Sequence, residues 1–300
     1  MEAVLQIDNL VKNYKQKTVL NSVSMTVNRG DIYGFVGKNG AGKTTLIRVI
    51  SGLTNASDGS YSLFGVKNTE RGIDDARKKV CTMVETPALH LDLSAYDNMK
   101  LQCLITGRPF SCIDELLRFV NLSDTGKKKA KNFSLGMRQR LGIAVALVNE
   151  PELMLLDEPI NGLDPEGIRQ IRELLLKMHE EKKVTILISS HILSELSLFA
   201  TRYGFIDSGN IIKEATIEEI REATKENCYI EVDDVAVADK LLRELGYEPV
   251  SKEKGFVIDG DIELMKVCAT FAANNVRLTK HVRNDVDLEN YFINLIGGAL

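Results

Sequence analysis

Gly37-Lys38-Asn39-Gly40-Ala41-Gly42-Lys43-Thr44 is the stretch that decides the fold, because it fits the phosphate-cradling pattern G-x-x-x-x-G-K-[ST]. It follows the apolar run Ile32-Tyr33-Gly34-Phe35-Val36, which reads as a buried strand. It precedes Thr45-Leu46-Ile47-Arg48-Val49-Ile50, which reads as the opening of a helix. That order of strand, loop and helix is the setting in which the pattern carries chemistry. The glycines let the backbone curl until successive N–H groups point at phosphate oxygens. The helix behind them adds its positive dipole end. Lys43 is placed to reach the outer phosphates, and the Thr44 hydroxyl to bind Mg²⁺. An ordinary glycine-rich turn would need neither Lys43 nor Thr44 at these positions.

A nucleotide site also needs a second handle on the cation and a group that activates water. Leu153-Met154-Leu155-Leu156-Asp157-Glu158 offers both, as an apolar strand that ends in two adjacent carboxylates. Open α/β sheets bind ligands beyond the carboxyl ends of their strands, so both acids should face the phosphate loop. Asp157 is expected to hold Mg²⁺, directly or through water. Glu158 is expected to act as the general base on the attacking water.

Around these two motifs the chain alternates strand and helix signals. Residues 4–8, 18–27 and 31–36 read as strands, with a turn at Asn28-Arg29-Gly30. Asp58-Gly59-Ser60 reads as a turn leading into Tyr61-Ser62-Leu63-Phe64-Gly65. From residue 93 to 150 the pattern is helical, with Ser94 as one cap and Ser111 or Asp114 as another. Residues 127–131 form a basic run that reads as a solvated loop. Strands at 153–156 and 184–189 flank a helix at 165–181 that begins with Pro165. Such alternation predicts a mostly parallel sheet with helices on its faces. Beyond residue 215 the texture changes to helices at 217–223, 235–245 and 262–274, with strands at 229–232 and 255–258. This segment reads as a small α/β appendage without glycine loops or clustered reactive residues, suited to packing or dimerisation.

Composition narrows the classes further. The 300 residues are 44% hydrophobic, enough for a sizeable core. A net charge of −4 gives no electrostatic footprint for nucleic acid. The longest apolar stretches, such as 141–148, fall short of the roughly 20 residues a membrane span needs. The opening Met1-Glu2-Ala3 leads into a strand-like run rather than a signal peptide. Five scattered cysteines without paired spacing read as reduced, mostly buried side chains in a cytoplasmic protein.

Further motifs, in order, give the chain its family likeness. Phe133-Ser134-Leu135-Gly136-Met137-Arg138-Gln139-Arg140 is similar to the signature L-S-G-G-Q-x-Q-R of ABC-transporter nucleotide-binding subunits. Asn161-Gly162-Leu163-Asp164 resembles their D-loop, and Ser189-Ser190-His191 their switch histidine. Tyr14 stands where the family stacks an aromatic on adenine. The resemblance covers residues 3–215 and implies an α/β P-loop NTPase of the ABC type. That fold has an antiparallel β subdomain and a helical subdomain at about 88–150, here followed by the appendage at 216–300. It implies ATP and Mg²⁺ as ligands, and Tyr14 with residues 37–45 around the nucleotide. Ser134, Gly136 and Met137 would serve the nucleotide of a second copy, with Asp164 beside them. Glu158, His191 and Glu85 would serve catalysis, and Thr44, Asp157 and Glu85 the metal. The partners implied are a homodimer closed by ATP and separate transmembrane permease subunits at the cytoplasmic face of the membrane.

The departures from the family pattern are informative. Leu135 replaces a glycine, Met137 a glutamine, and Glu85 the glutamine usual in its loop. A carboxylate at position 85 keeps acceptor oxygens but adds charge and loses the amide donors. Glu85-Thr86-Pro87 together with Ser134-Leu135-Gly136-Met137 resembles the branch that confers resistance to bacitracin and lantibiotics. That branch implies export or expulsion of antimicrobial peptides, which the permease would contact. Plainer roles remain open at this stage: Ser134 as a simple helix cap, His191 as a satisfied core histidine, Tyr14 as a turn aromatic, and Glu85 as a surface acid. Two other functions also remain, a soluble ATP switch on ribosomes or DNA and a weakly hydrolysing regulatory module.

Overall fold

The first strand runs well past the expected residues 4–8: β1 (Ala3–Tyr14) turns through Lys15 and Gln16 into β2 (Lys17–Asn28). The computed structural model describes residues 2–84, 86–224, 227–260, 262–284 and 288–297. Backbone irregularities between Ile7 and Leu10, with Asn9 at φ 48°, carry β1 beyond its first apolar stretch. The expected turn at Asp58-Gly59-Ser60 is instead the start of a strand, β4 (Asp58–Leu63), paired antiparallel with β1. Gly59 is required there, since a Cβ would lie 2.2 Å from the Asn9 carbonyl oxygen. The glycine marks a close crossing of two strands rather than a reversal.

The chain divides into two compact units, Met1–Ala215 and Thr216–Leu300. In the first, β2-β1-β4-β5 forms an antiparallel sheet, β5 being Val66–Lys67. The second sheet is built from β3 (Ile32–Val36), β6 (Val80–Val84), β7 (Leu153–Asp157), β8 (Thr185–Ser190), β9 (Arg202–Asp207) and β10 (Asn210–Thr216), in the order β10-β9-β3-β8-β7-β6. Pairing from β9 through β3, β8 and β7 to β6 is parallel. β3, β7 and β8 are buried along their whole length, as the unbroken apolar runs predict. Helix α1 (Lys43–Ile50) packs against β6 and β7, and its Leu46, Ile47, Val49 and Ile50 join a core shared with β1 and β2.

Helix α2 (Ile73–Arg77) precedes β6, and between β6 and β7 lie α3 (Ala95–Thr106), α4 (Ile113–Phe119) and α5 (Leu135–Leu147). Ser94 caps α3 as expected, its Oγ accepting from the Asp97 N–H at 3.1 Å. Neither Ser111 nor Asp114 caps α4; its N-cap is Cys112, at the end of a short 3-10 turn, and no side chain completes it. After β7 come α6 (Pro165–Lys182) and, beyond β8, the short α7 (Leu193–Leu196).

The second unit contains α8 (Ile217–Thr224), β11 (Asn227–Val232), α9 (Val235–Glu244), β12 (Pro249–Lys252), β13 (Gly255–Asp259), α10 (Leu264–Ala273), β14 (Leu278–Asn284) and α11 (Leu288–Gly297). Its antiparallel sheet runs β12-β13-β11-β14, so β11 to β14 follow the split β-α-β-β-α-β plan. Ala238, Leu242, Val267 and Phe271 from the two central helices cover one face of it. Gly255 lies so close to β11 that a Cβ would sit 1.8 Å from the Ile230 carbonyl oxygen. Gly255→Ala is therefore expected to cost about 1–3 kcal/mol, read as a lower melting temperature of this unit. An unchanged melting profile would contradict the register.

Candidate functional site

Three adjacent strands, β3, β8 and β7, end together and deliver the polar residues of the site. Residues 37–42 leave β3 and enter α1 through Gly42 at φ 113°, a conformation suited to glycine. A Cβ on Gly37 would lie 2.4 Å from the Ile206 carbonyl oxygen, so that glycine lets the loop pass tightly over β9. Gly209, in the turn after β9, donates to the Ala41 carbonyl at 3.0 Å and holds the loop from behind. No side chain caps α1, and Lys38, Asn39 and Gly40 are exposed at the crest of the loop. Thr44 and Thr45 follow in the first turn, both partly buried.

Lys43 is only 5% exposed. Its Nζ donates to the Gly37 carbonyl at 2.5 Å and the Lys38 carbonyl at 3.2 Å. It also lies 3.2 Å from Glu158 Oε1, a charge contact without hydrogen-bond alignment. Asp157, the last residue of β7, is fully buried. Its Oδ1 accepts from Ser189 Oγ at 2.6 Å, while its Oδ2 is buried with no hydrogen-bond partner. A carboxylate left half-satisfied in this way is expensive to bury and suits a cation. Glu158 adopts φ 50°, a strained value for a non-glycine residue and one that clusters at functional sites. Ser189 supports that turn, since the Glu158 N–H donates to both its carbonyl and its Oγ at 3.1 Å. Glu158 Oε2 lies 2.8 Å from His191 Nδ1, and His191 remains about one third exposed.

The structure thus brings together Lys43, Glu158 and His191 in one chain of contacts, with Asp157 joined to it through Ser189. Ser189 as the residue that orients both acids was not anticipated. Its only sequence signal is a hydroxyl at the buried end of the strand next to the acidic one. Tyr14 stands at the end of β1, 45% exposed, with Lys12 Nζ 4.8 Å from its ring centroid. Glu85 lies outside the described residues.

The signature segment forms a second locus. Ser134 caps α5, its Oγ accepting from the Met137 N–H at 3.2 Å. Asp164 caps α6 in the same manner, accepting from the Gly167 N–H at 3.1 Å. The two helix starts adjoin: a Cβ on Gly162 would meet Leu135 at 3.5 Å, and one on Gly136 would meet Leu163 at 3.7 Å. Leu135, where the resembling family has glycine, therefore touches the turn that Asp164 ends. Ser134, Gly136 and Met137 stand beside this turn, at an exposed to half-buried surface, rather than among the contacts of Lys43.

Comparison with known proteins identifies the family. Residues 20–161 match the model of a family described as ABC transporter. A bacitracin transport ATP-binding protein, BcrA, of Enterococcus faecalis is 38% identical, over 100% of this chain and 98% of its own length. A lantibiotic transport ATP-binding protein, SrtF, of Streptococcus pyogenes is 44% identical over 70% of this chain and 90% of its own. Among solved structures, cbiO1 from Clostridium perfringens, part of the ABC transporter complex cbiONQ, superposes with a TM-score of 0.68 at 26% identity. It covers 82% of this chain and 97% of its own.

Proposed function

Since the chain belongs to the ATP-binding subunits of ABC transporters, a family of ATPases coupled to transport, we propose that it powers a separate membrane permease that exports or expels antimicrobial peptides of the bacitracin and lantibiotic kind. The observation that carries this reading is the cluster of Lys43, Asp157, Glu158 and His191 at the ends of three adjacent strands. In it, the loop N–H groups, Lys43 and the uncapped start of α1 hold the phosphates of ATP. Glu158 accepts a proton from the attacking water, and His191 steadies the carboxylate from its exposed side. Residues 37–45 wrap the nucleotide, and Tyr14 offers an aromatic face to its base.

The buried, unpartnered Oδ2 of Asp157 fits a divalent cation, and Mg²⁺ would be held by Asp157 and the Thr44 hydroxyl, with Glu85 as a further oxygen donor. When bound, the cation supplies positive charge to the phosphate oxygens. Ser134, Gly136 and Met137, with Asp164 beside them, complete the pocket of a second copy, so that ATP joins two chains head to tail. Among the described residues no helix is long and apolar enough to cross a membrane. In this reading the work of transport falls to separate permease chains, which this subunit meets at the cytoplasmic face of the membrane. Residues 1–215 act as the nucleotide-binding domain, with its helical subdomain at about 88–150. Residues 216–300 serve as an accessory domain in dimerisation or regulation.

The test pairs turnover with resistance. ATP hydrolysis by the chain is expected to rise when its permease is present, and loss of the chain is expected to raise sensitivity to bacitracin or a lantibiotic. Unchanged sensitivity in cells whose chain still hydrolyses ATP would remove the peptide reading while leaving the ATPase intact.

A further inference from the structure

Away from the nucleotide site, two thiols meet at the end of a helix pair. Cys103, in the last turn of α3, and Cys112, at the start of α4, hold their Sγ atoms 3.9 Å apart. The chain reverses between them because α3 ends at Gly107 with φ 70°, after which the 3-10 turn Phe110–Cys112 brings the second thiol back. Both point at the Pro109 carbonyl, Cys112 at 3.2 Å and Cys103 at 3.9 Å. Cys103 is fully buried, whereas Cys112 is partly exposed and lines a cleft of about 460 Å³ with Glu115, Leu116 and Lys182. A small reagent therefore reaches one sulfur and finds the other in contact with it.

We propose that Cys103 and Cys112 form a reversible intrachain disulfide by exchange with a low-molecular-weight disulfide. The Cys112 thiolate attacks one sulfur of the reagent, forming a mixed disulfide and expelling the first reagent thiolate. The Cys103 thiolate then attacks Cys112 Sγ, forming the intrachain bond and expelling the second. Two protein thiols are oxidised and one reagent disulfide is reduced, with the two thiol protons passing to the departing thiolates. The sulfurs have to close from 3.9 Å to about 2.0 Å, giving up only two weak S–H···O contacts. Burial pushes the Cys103 thiol up to about 11, which makes it the slower, resolving partner. The segment so closed carries Arg108, whose guanidinium lies 2.9 Å from Glu150 and 3.4 Å from the Asn149 carbonyl, just past the end of α5. Oxidation thus ties the end of α3 to the start of α4.

The full-length chain is incubated with oxidised glutathione, alkylated with N-ethylmaleimide and mapped under non-reducing conditions. The expected result is a Cys103–Cys112 link that dithiothreitol reverses. Cys103→Ser is expected to stop at glutathione on Cys112, and Cys112→Ser to leave Cys103 alkylated and unlinked, both with parental nucleotide affinity. A parent chain that keeps both thiols free, accumulates glutathione on Cys112 without linking, or links other cysteines would overturn the proposal.

Discussion

Glu158→Gln is expected to hydrolyse ATP about 10²–10⁴-fold more slowly than the parent, the usual contribution of a positioned general base, while binding ATP with undiminished affinity. The amide matches the carboxylate in shape, so the contact with His191 Nδ1, 2.8 Å in the parent, can persist. What disappears is the basic oxygen that would take the proton of water. The charge contact between Lys43 and Glu158 Oε1 also weakens, which leaves the lysine freer to face phosphate rather than less able to bind it. Phosphate release and equilibrium nucleotide binding, measured on the same preparation, separate the two effects. Parental turnover would show that Glu158 is not the base.

Lys43→Ala should act on the other quantity. The ammonium is almost wholly buried and held by two backbone carbonyls and one carboxylate, and in the proposed site it faces the outer phosphates. A hydrogen bond to a charged group contributes about 1.5–3 kcal/mol, so ATP affinity is expected to fall roughly 10- to 150-fold. The change also strips Glu158 of a cationic neighbour. Circular dichroism is the control, and Lys43→Met keeps the stem that fills the same space. Parental affinity in either folded variant would contradict the placement of the site.

Much of this architecture was legible in the chain because its strongest signals are local. The glycines and Lys43-Thr44 between a buried strand and a helix specify their own geometry, and a fully apolar strand ending in Asp157-Glu158 can hardly do otherwise. Ser94, Ser134 and Pro165 announced helix starts through capping chemistry, which acts within one turn. Features that depend on distant partners were less visible. Gly59 looks like a turn residue in isolation, and only the approach of Asn9 explains why it belongs in a strand. Ser189 acquires its role from a neighbouring strand 32 residues away in sequence. β12 and β14 are short or polar at the edges of their sheet, so they lack the apolar run that betrays a buried strand. Ser111 and Asp114 miss the start of α4 for a related reason, because the 3-10 turn before it puts the N-cap at Cys112.

Joining of two chains across ATP is the claim on which the transport reading turns, and light scattering on Glu158→Gln with ATP and Mg²⁺ tests it most directly. The account predicts a species of twice the 33.4 kDa chain mass that is lost when Ser134→Ala is added. A single-chain mass at saturating ATP would contradict it.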